Sequence, residues 1–112
     1  IATNRDTQYP IEGGVVPGGG SIVAAIAAAA ELEPLTIGKP ETLGLATILS
    51  LAGAAPDEAV MVGDRPDTDI LCGNRLGVPT VLVMTGVTSA QKAAAAPPDQ
   101  RPGRTIATLY DL

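Results

Sequence analysis

The sequence predicts an α/β fold, a three-layer arrangement in which a parallel sheet carries helices on both faces. Three observations lead there. Short apolar runs at 35–38, 59–62 and 80–85 are separated by stretches of helical periodicity, the alternation that builds a parallel sheet. Each connection is long enough for a right-handed crossover. The run TVLVMT at 80–85 is β-branched and apolar without polar alternation, as expected of a strand covered on both faces.

Taken in order, residues 1–4 (IATN) read as the end of a strand running into a loop. Residues 5–20 read as loop, because Pro10, Gly13, Gly14, Pro17 and three consecutive glycines punctuate them densely; at most Val15 and Val16 form a short extended piece. A helix is predicted over 21–32, with Ile22, Val23, Ile26 and Ala30 on one face. The glycine-rich approach leaves backbone N–H groups open to an anion. It reads equally well as a flexible turn before an alanine-rich packing helix.

After the apolar run at 35–38 come Lys39 and Pro40, then a helix over 41–52. Its buried stripe is Leu45, Ile48, Leu49 and Ala52, Glu41 falls in the first turn, and Gly53 is placed for the C-terminal cap. Pro56 prevents continuation. The strand at 59–62 stops at an acid-rich turn, GDRPDTD over 63–69, after which Asp67 or Thr68 caps a third helix over 68–76 that ends at Gly77. A short helix at 88–96, an exposed proline-rich connection at 97–103, and a short strand with a helical turn over 105–112 complete the prediction.

Composition narrows the function. Hydrophobic residues make up 46% of the 112 residues but aromatics only 2%, with no Phe or Trp, so the core is assembled from Ala, Val, Ile and Leu. With 7 Lys and Arg against 12 Asp and Glu the net charge is −5, which opposes the phosphate attraction on which nucleic-acid binding rests. The longest apolar segment, 22–30, is far below the roughly 20 residues of a membrane-spanning helix. Cys72 is the only cysteine and there is no histidine, so neither an intrachain disulfide nor a zinc site is available. A reducing cytoplasm is the default location. Cys72 reads as a small buried residue rather than a nucleophile.

Parallel strands deliver their C-terminal ends to one edge of the sheet, where open α/β folds place ligands. Lys39 follows one strand and Asp64 the next, so the two are expected to approach each other there. A lysine together with a carboxylate-held Mg²⁺ suits a phosphoryl group, whose spread negative charge needs fixed positive partners. Mg²⁺ takes one or two carboxylates and keeps several waters. Asp64, first after the strand, is the candidate metal ligand; Asp69, in the first helical turn, is placed to hold Lys39 or a metal-bound water. Arg65 either touches substrate or pairs with Asp67 or Asp69, and the pair is the favoured reading. Thr3, Asn4 and Asp6 read locally as turn formers or as ligand contacts.

Several of these segments together resemble a known family. ATNRD at 2–6, PGGGS at 17–21, GKP at 38–40, MVGDRPDTDI at 61–70 and TGVT at 85–88 look like the later half of a haloacid dehalogenase superfamily phosphatase. The branch is the C2-capped subclass IIA, which includes para-nitrophenyl phosphatase, phosphoglycolate phosphatase and NagD-like enzymes. The resemblance implies a HAD-like Rossmannoid core over 34–112, preceded at 1–33 by the end of a C2 cap and its return to the core. It implies that Lys39 binds phosphate and the nucleophile, that Asp64 is the Mg²⁺ ligand, and that Asp69 is the second acid of the same motif. Asn4, Asp6 and Arg65 become candidates for substrate contact, and a homo-oligomer is compatible with relatives whose cap carries that interface. The family's DxD nucleophile motif has no counterpart in context here. The expectation is therefore a Mg²⁺-dependent phosphatase of a small phosphate ester whose nucleophile lies outside these residues, the chain by itself being inactive. The competing expectation is a non-catalytic phosphate-binding or structural α/β module.

Overall fold

Strands β3 (Met61–Gly63), β4 (Thr80–Val83) and β5 (Arg104–Ile106) lie side by side in that order in a computed structural model that describes all 112 residues, Ile1–Leu112. Both pairings are parallel, with Met61 opposite Thr80 and Val81 opposite Arg104. The chain earlier forms a separate antiparallel hairpin, β1 (Gln8–Ile11) and β2 (Gly14–Pro17), followed by helices α1 (Gly19–Ala30) and α2 (Leu43–Ala52). Helices α3 (Leu71–Leu76) and α4 (Ala90–Ala94) lie in the crossovers β3–β4 and β4–β5. The predicted α/β class and the parallel sheet flanked by helices are what the molecule adopts.

The sheet holds the core. Val81, Val83 and Ile106 cluster on one face with Val62 against them. On the other face the Thr80 methyl fills the space that a side chain at Gly73 of α3 would take. Leu82 and Ile70 are wholly excluded from solvent, each contributing about 1.5–3 kcal/mol by burial. Beneath the crossover, Asn74 accepts from the Thr80 hydroxyl and donates to the carbonyls of Asp99 and Arg101, which pins the proline-rich connection to the sheet.

Several local expectations are corrected. Residues 5–20 are not loop throughout: Tyr9 pairs with Val16 and Pro10 with Val15, around a two-residue turn in which Gly13 takes φ +82°, the conformation a type II turn demands of its third residue. The run 35–38 forms no full strand but one parallel bridge, with Ala2 N–H donating to Leu35 O and Ile37 N–H to Ala2 O. The helix predicted over 41–52 begins only at Leu43, so Glu41 lies outside its first turn and pairs instead with Arg75. Of its predicted stripe Leu49 is buried, while Ile48 is exposed, as are Ile22 and Ile26 of α1. These apolar faces find no partner within the 112 residues. Neither Asp67 nor Thr68 caps the third helix; the chain enters it through a π-helical turn, Pro66–Ile70, in which the N–H groups of Asp69 and Ile70 both donate to Arg65 O. No helix is long and apolar enough to cross a membrane.

Candidate functional site

The site begins where β3 stops. At Gly63 the chain turns back on itself, and the backbone N–H groups of Asp64 and Arg65 both donate to Asp69 Oδ2 at 3.1 Å. A Cβ on Gly63 would collide with the Asp69 carboxyl group, so glycine at the strand end is what lets Asp69 tuck beneath it. Its other oxygen, Oδ1, accepts from Lys39 Nζ at 2.6 Å. The Asp69 side chain is only 6% exposed whereas that of Lys39 is 53% exposed. Asp69 thus serves as a buried anchor with both oxygens engaged, and Lys39 presents a fixed ammonium at the surface of the cleft.

Asp64 is held differently. Its Oδ2 accepts from the Val87 N–H at 2.9 Å, and a Cβ on Gly86 would occupy the space of the same carboxyl group. The loop after β4 therefore fixes one oxygen of Asp64. No donor from the chain engages the other. Lys39, Asp64 and Asp69 are brought to one edge of the sheet and line one cleft of about 470 Å³, with Asn4, Asp6 and Arg65 on its wall. A second hollow of about 640 Å³ shares Asn4, Asp6, Asp64 and Arg65 and continues toward Tyr9 and Lys92.

Three of the five N–H donors of the Arg65 guanidinium go to carboxylates. Its Nε and Nη2 donate to the two oxygens of Asp67 at 3.2 and 3.0 Å, and its Nη1 donates to Asp6 Oδ1 at 2.7 Å. The hydrogen bond from Arg65 pulls the Asp67 carboxyl below its ordinary value, helped by Lys92 3.9 Å away. The bond to Asp67 in turn raises the guanidinium further, with Asp6 adding to it. Asn4 is turned inward on its own segment, its Oδ1 accepting from the Asp6 N–H at 3.2 Å. Cys72 is buried, with Sγ 3.5 Å from Glu41 O, and burial pushes its thiol up.

The glycine run at 18–20 does not cradle an anion. The Gly20 N–H donates to Asp6 O and the Gly18 N–H to Thr7 O, and a Cβ at either position would strike the backbone of the 5–8 segment. These glycines let helix α1 start hard against that segment. Sequence reasoning missed Gly86 and the Val87 N–H, and it placed Gly63 at the strand end without the reason, which is the room it leaves for Asp69. The available signal was the glycine of TGVT, which follows a buried strand on the same sheet edge as Asp64.

No three His, Cys, Asp or Glu side chains converge in a way that would hold a metal by themselves. The donor set nevertheless suits a partly hydrated Mg²⁺, which takes one or two carboxylates. Asp64 has one oxygen steadied by a backbone N–H and another without a donor, while both oxygens of Asp69 already accept hydrogen bonds.

A family model described as HAD-hydrolase-like matches residues 36–112. The chain belongs to the haloacid dehalogenase superfamily. Within that superfamily it falls in the NagD-like and para-nitrophenyl phosphatase branch, subclass IIA. It is 44% identical over 93 residues to a glycerol-3-phosphate phosphatase from Gallus gallus, covering 82% of this chain and 30% of that protein. To a dihydroxyacetone phosphatase from Corynebacterium glutamicum it is 38% identical over 112 residues, covering 100% of this chain and 40% of the relative. A crystal structure of a glycerol phosphate phosphatase from Mycobacterium tuberculosis, in complex with magnesium, superimposes with a TM-score of 0.89 at 38% identity, over 97% of this chain and 33% of that one. This superfamily member thus spans well under half the length of each of these relatives.

Proposed function

We propose that this chain supplies the metal-binding and charge-compensating half of a Mg²⁺-dependent phosphomonoesterase that acts on a small phosphorylated metabolite. The observation that carries the reading is the pair of fixed opposite charges at one sheet edge: the Lys39 ammonium held 2.6 Å from buried Asp69, and the Asp64 carboxylate steadied by the Val87 N–H. The phosphatase names of the relatives and the magnesium in one of their structures support it.

Each residue has a defined part. Lys39, oriented by Asp69, offers its remaining N–H donors to phosphate oxygens, a contact worth about 4 kcal/mol at ~4 Å and an effective dielectric of ~20 before desolvation costs. Asp64 would hold Mg²⁺, which when bound adds positive charge against the phosphoryl group. Asp69 positions Lys39 and the turn. Asn4 and Asp6 face the cleft from residues 1–33, the segment that reads as the end of a cap, while residues 34–112 read as core. The nucleophile that forms the aspartyl-phosphate belongs to residues outside this chain.

The test is phosphate release from para-nitrophenyl phosphate by the full-length protein that contains this chain, with Mg²⁺ and with chelator. The reading predicts Mg²⁺-dependent turnover that falls at least about a hundredfold in Lys39→Ala and in Asp64→Asn, the scale of losing one fixed electrostatic partner. Turnover that survives both substitutions would sink the assignment of the site, and a parent with no turnover at all would favour the non-catalytic module.

A further inference from the structure

We infer that Arg65 is a latch that ties residues 1–33 to residues 39–112 and sets the width of the cleft between them. Its bond to Asp6 spans 59 positions in sequence and is the one side-chain hydrogen bond joining the two parts of the chain. The other connection is backbone, the bridge of Ala2 to Leu35 and Ile37, which sits at the link between the two parts. The arrangement therefore has a hinge at 34–38 and a closure at Asp6. Both hollows lie across that division, with Asn4 and Asp6 on one wall and Asp64 and Arg65 on the other.

The guanidinium is built for this task. Its Nε and Nη2 edge is occupied by both oxygens of Asp67, which fixes the plane of the group, and Nη1 is left to reach Asp6. A planar fork serving two carboxylates is a role lysine cannot reproduce with its single point charge. With two carboxylates already bound, the charge of Arg65 is offset locally. Its effect on substrate passes through the 1–7 segment, making it a positioning residue. The carbonyls of that segment accept from Gly18 and Gly20, so the latch also steadies the start of α1 and, through Thr7, the entry to the hairpin.

Asp6→Asn and Arg65→Lys in the full-length protein test this by two readouts. Amide hydrogen exchange does not depend on any phosphatase activity. The latch predicts that both variants exchange roughly three- to tenfold faster at Gly18 and Gly20, the scale of losing a partly exposed charged pair, while Leu82 in β4 keeps its protection and reports an intact fold. The kinetic arm rests on the phosphatase reading and uses para-nitrophenyl phosphate with Mg²⁺. Both variants should raise KM by a similar factor, with kcat within about twofold, and the double variant should be no worse than either single one, as for residues acting as one unit. If Arg65 were instead a phosphate ligand, Asp6→Asn would free it and lower KM while Arg65→Lys raised it. Unchanged exchange at Gly18 and Gly20 in both folded variants, or opposite KM shifts, would overturn the latch. A parent without turnover leaves the exchange arm to decide, and so separates failure of the latch from failure of the functional reading.

Discussion

Replacing Gly86 with alanine should weaken metal binding without touching any ionisable residue. The added Cβ would occupy the space of the Asp64 carboxyl group, so Asp64 must leave the Val87 N–H that holds it at 2.9 Å. Gly86 is not among the positive-φ glycines, so alanine brings no backbone strain and the collision is the whole perturbation. A hydrogen bond to a charged group is worth about 1.5–3 kcal/mol, and about 1.4 kcal/mol is tenfold in an equilibrium constant. The expected loss is therefore roughly 10–100-fold in Mg²⁺ affinity, the range seen when a ligand's supporting partner is removed. Titration calorimetry of Mg²⁺ into the full-length protein measures it, with circular dichroism confirming the fold and Asp64→Asn as the reference for complete loss. A folded Gly86→Ala protein that binds Mg²⁺ as the wild type does would refute the claim that Asp64 is the ligand and that Val87 holds it.

Three further outcomes follow from the same geometry. Gly63→Ala drives Asp69 from its three donors and should destabilise the protein by about 2–4 kcal/mol, combining lost charged hydrogen bonds with overpacking; thermal or urea unfolding measures this, and a loss under about 0.5 kcal/mol would contradict it. Cys72 should resist thiol reagents in the native protein and react fully after denaturation, because it is buried and its thiol is pushed up by burial; rapid native labelling would contradict the packing. The Asp67 carboxyl lies below its ordinary 3.8 chiefly through the Arg65 hydrogen bond, so its stabilising contribution is complete above that unfolded value and is lost as pH falls through the lower folded one. The stability difference between wild type and Asp67→Asn should accordingly hold constant above about pH 5 and close in stronger acid; a difference that persists at full size there would contradict the pairing.

The parts of the molecule legible in the sequence are those with strong local signals. TVLVMT became β4, the apolar run before GDRPDTD became β3, and Gly53 and Gly77 closed their helices as expected. The rule that parallel strands end on one edge placed Asp64 and Asp69 after β3, whereas Lys39 reaches them from a run that forms only a bridge to Ala2 and no strand of that sheet. What failed to show were features that depend on contacts distant in sequence. The hairpin at 8–17 is punctuated by Pro10 and Gly13, so its pairing was hidden by the residues that permit it. The glycines at 18–20 look locally like an anion loop, yet their reason is the backbone of residues 5–8 packed against them. The stripe expected to be buried over Leu45–Ala52 is buried only at Leu49, and Ile22 and Ile26 are exposed as well; periodicity says that a face seeks a partner and not where the partner lies. Asp67 was read as a cap because its position fits one, whereas the stronger pull of Arg65 took its carboxylate elsewhere.

The central claim is that Lys39 and Asp64 form two fixed charges of one phosphate site, and inorganic phosphate binding to the full-length protein tests it directly. Calorimetric titration with phosphate, with and without Mg²⁺, should show binding that strengthens when Mg²⁺ is present. Lys39→Ala should weaken that binding in both conditions, and Asp64→Asn should abolish the Mg²⁺-dependent gain. Phosphate binding of wild-type strength and wild-type Mg²⁺ dependence in both variants would contradict the account.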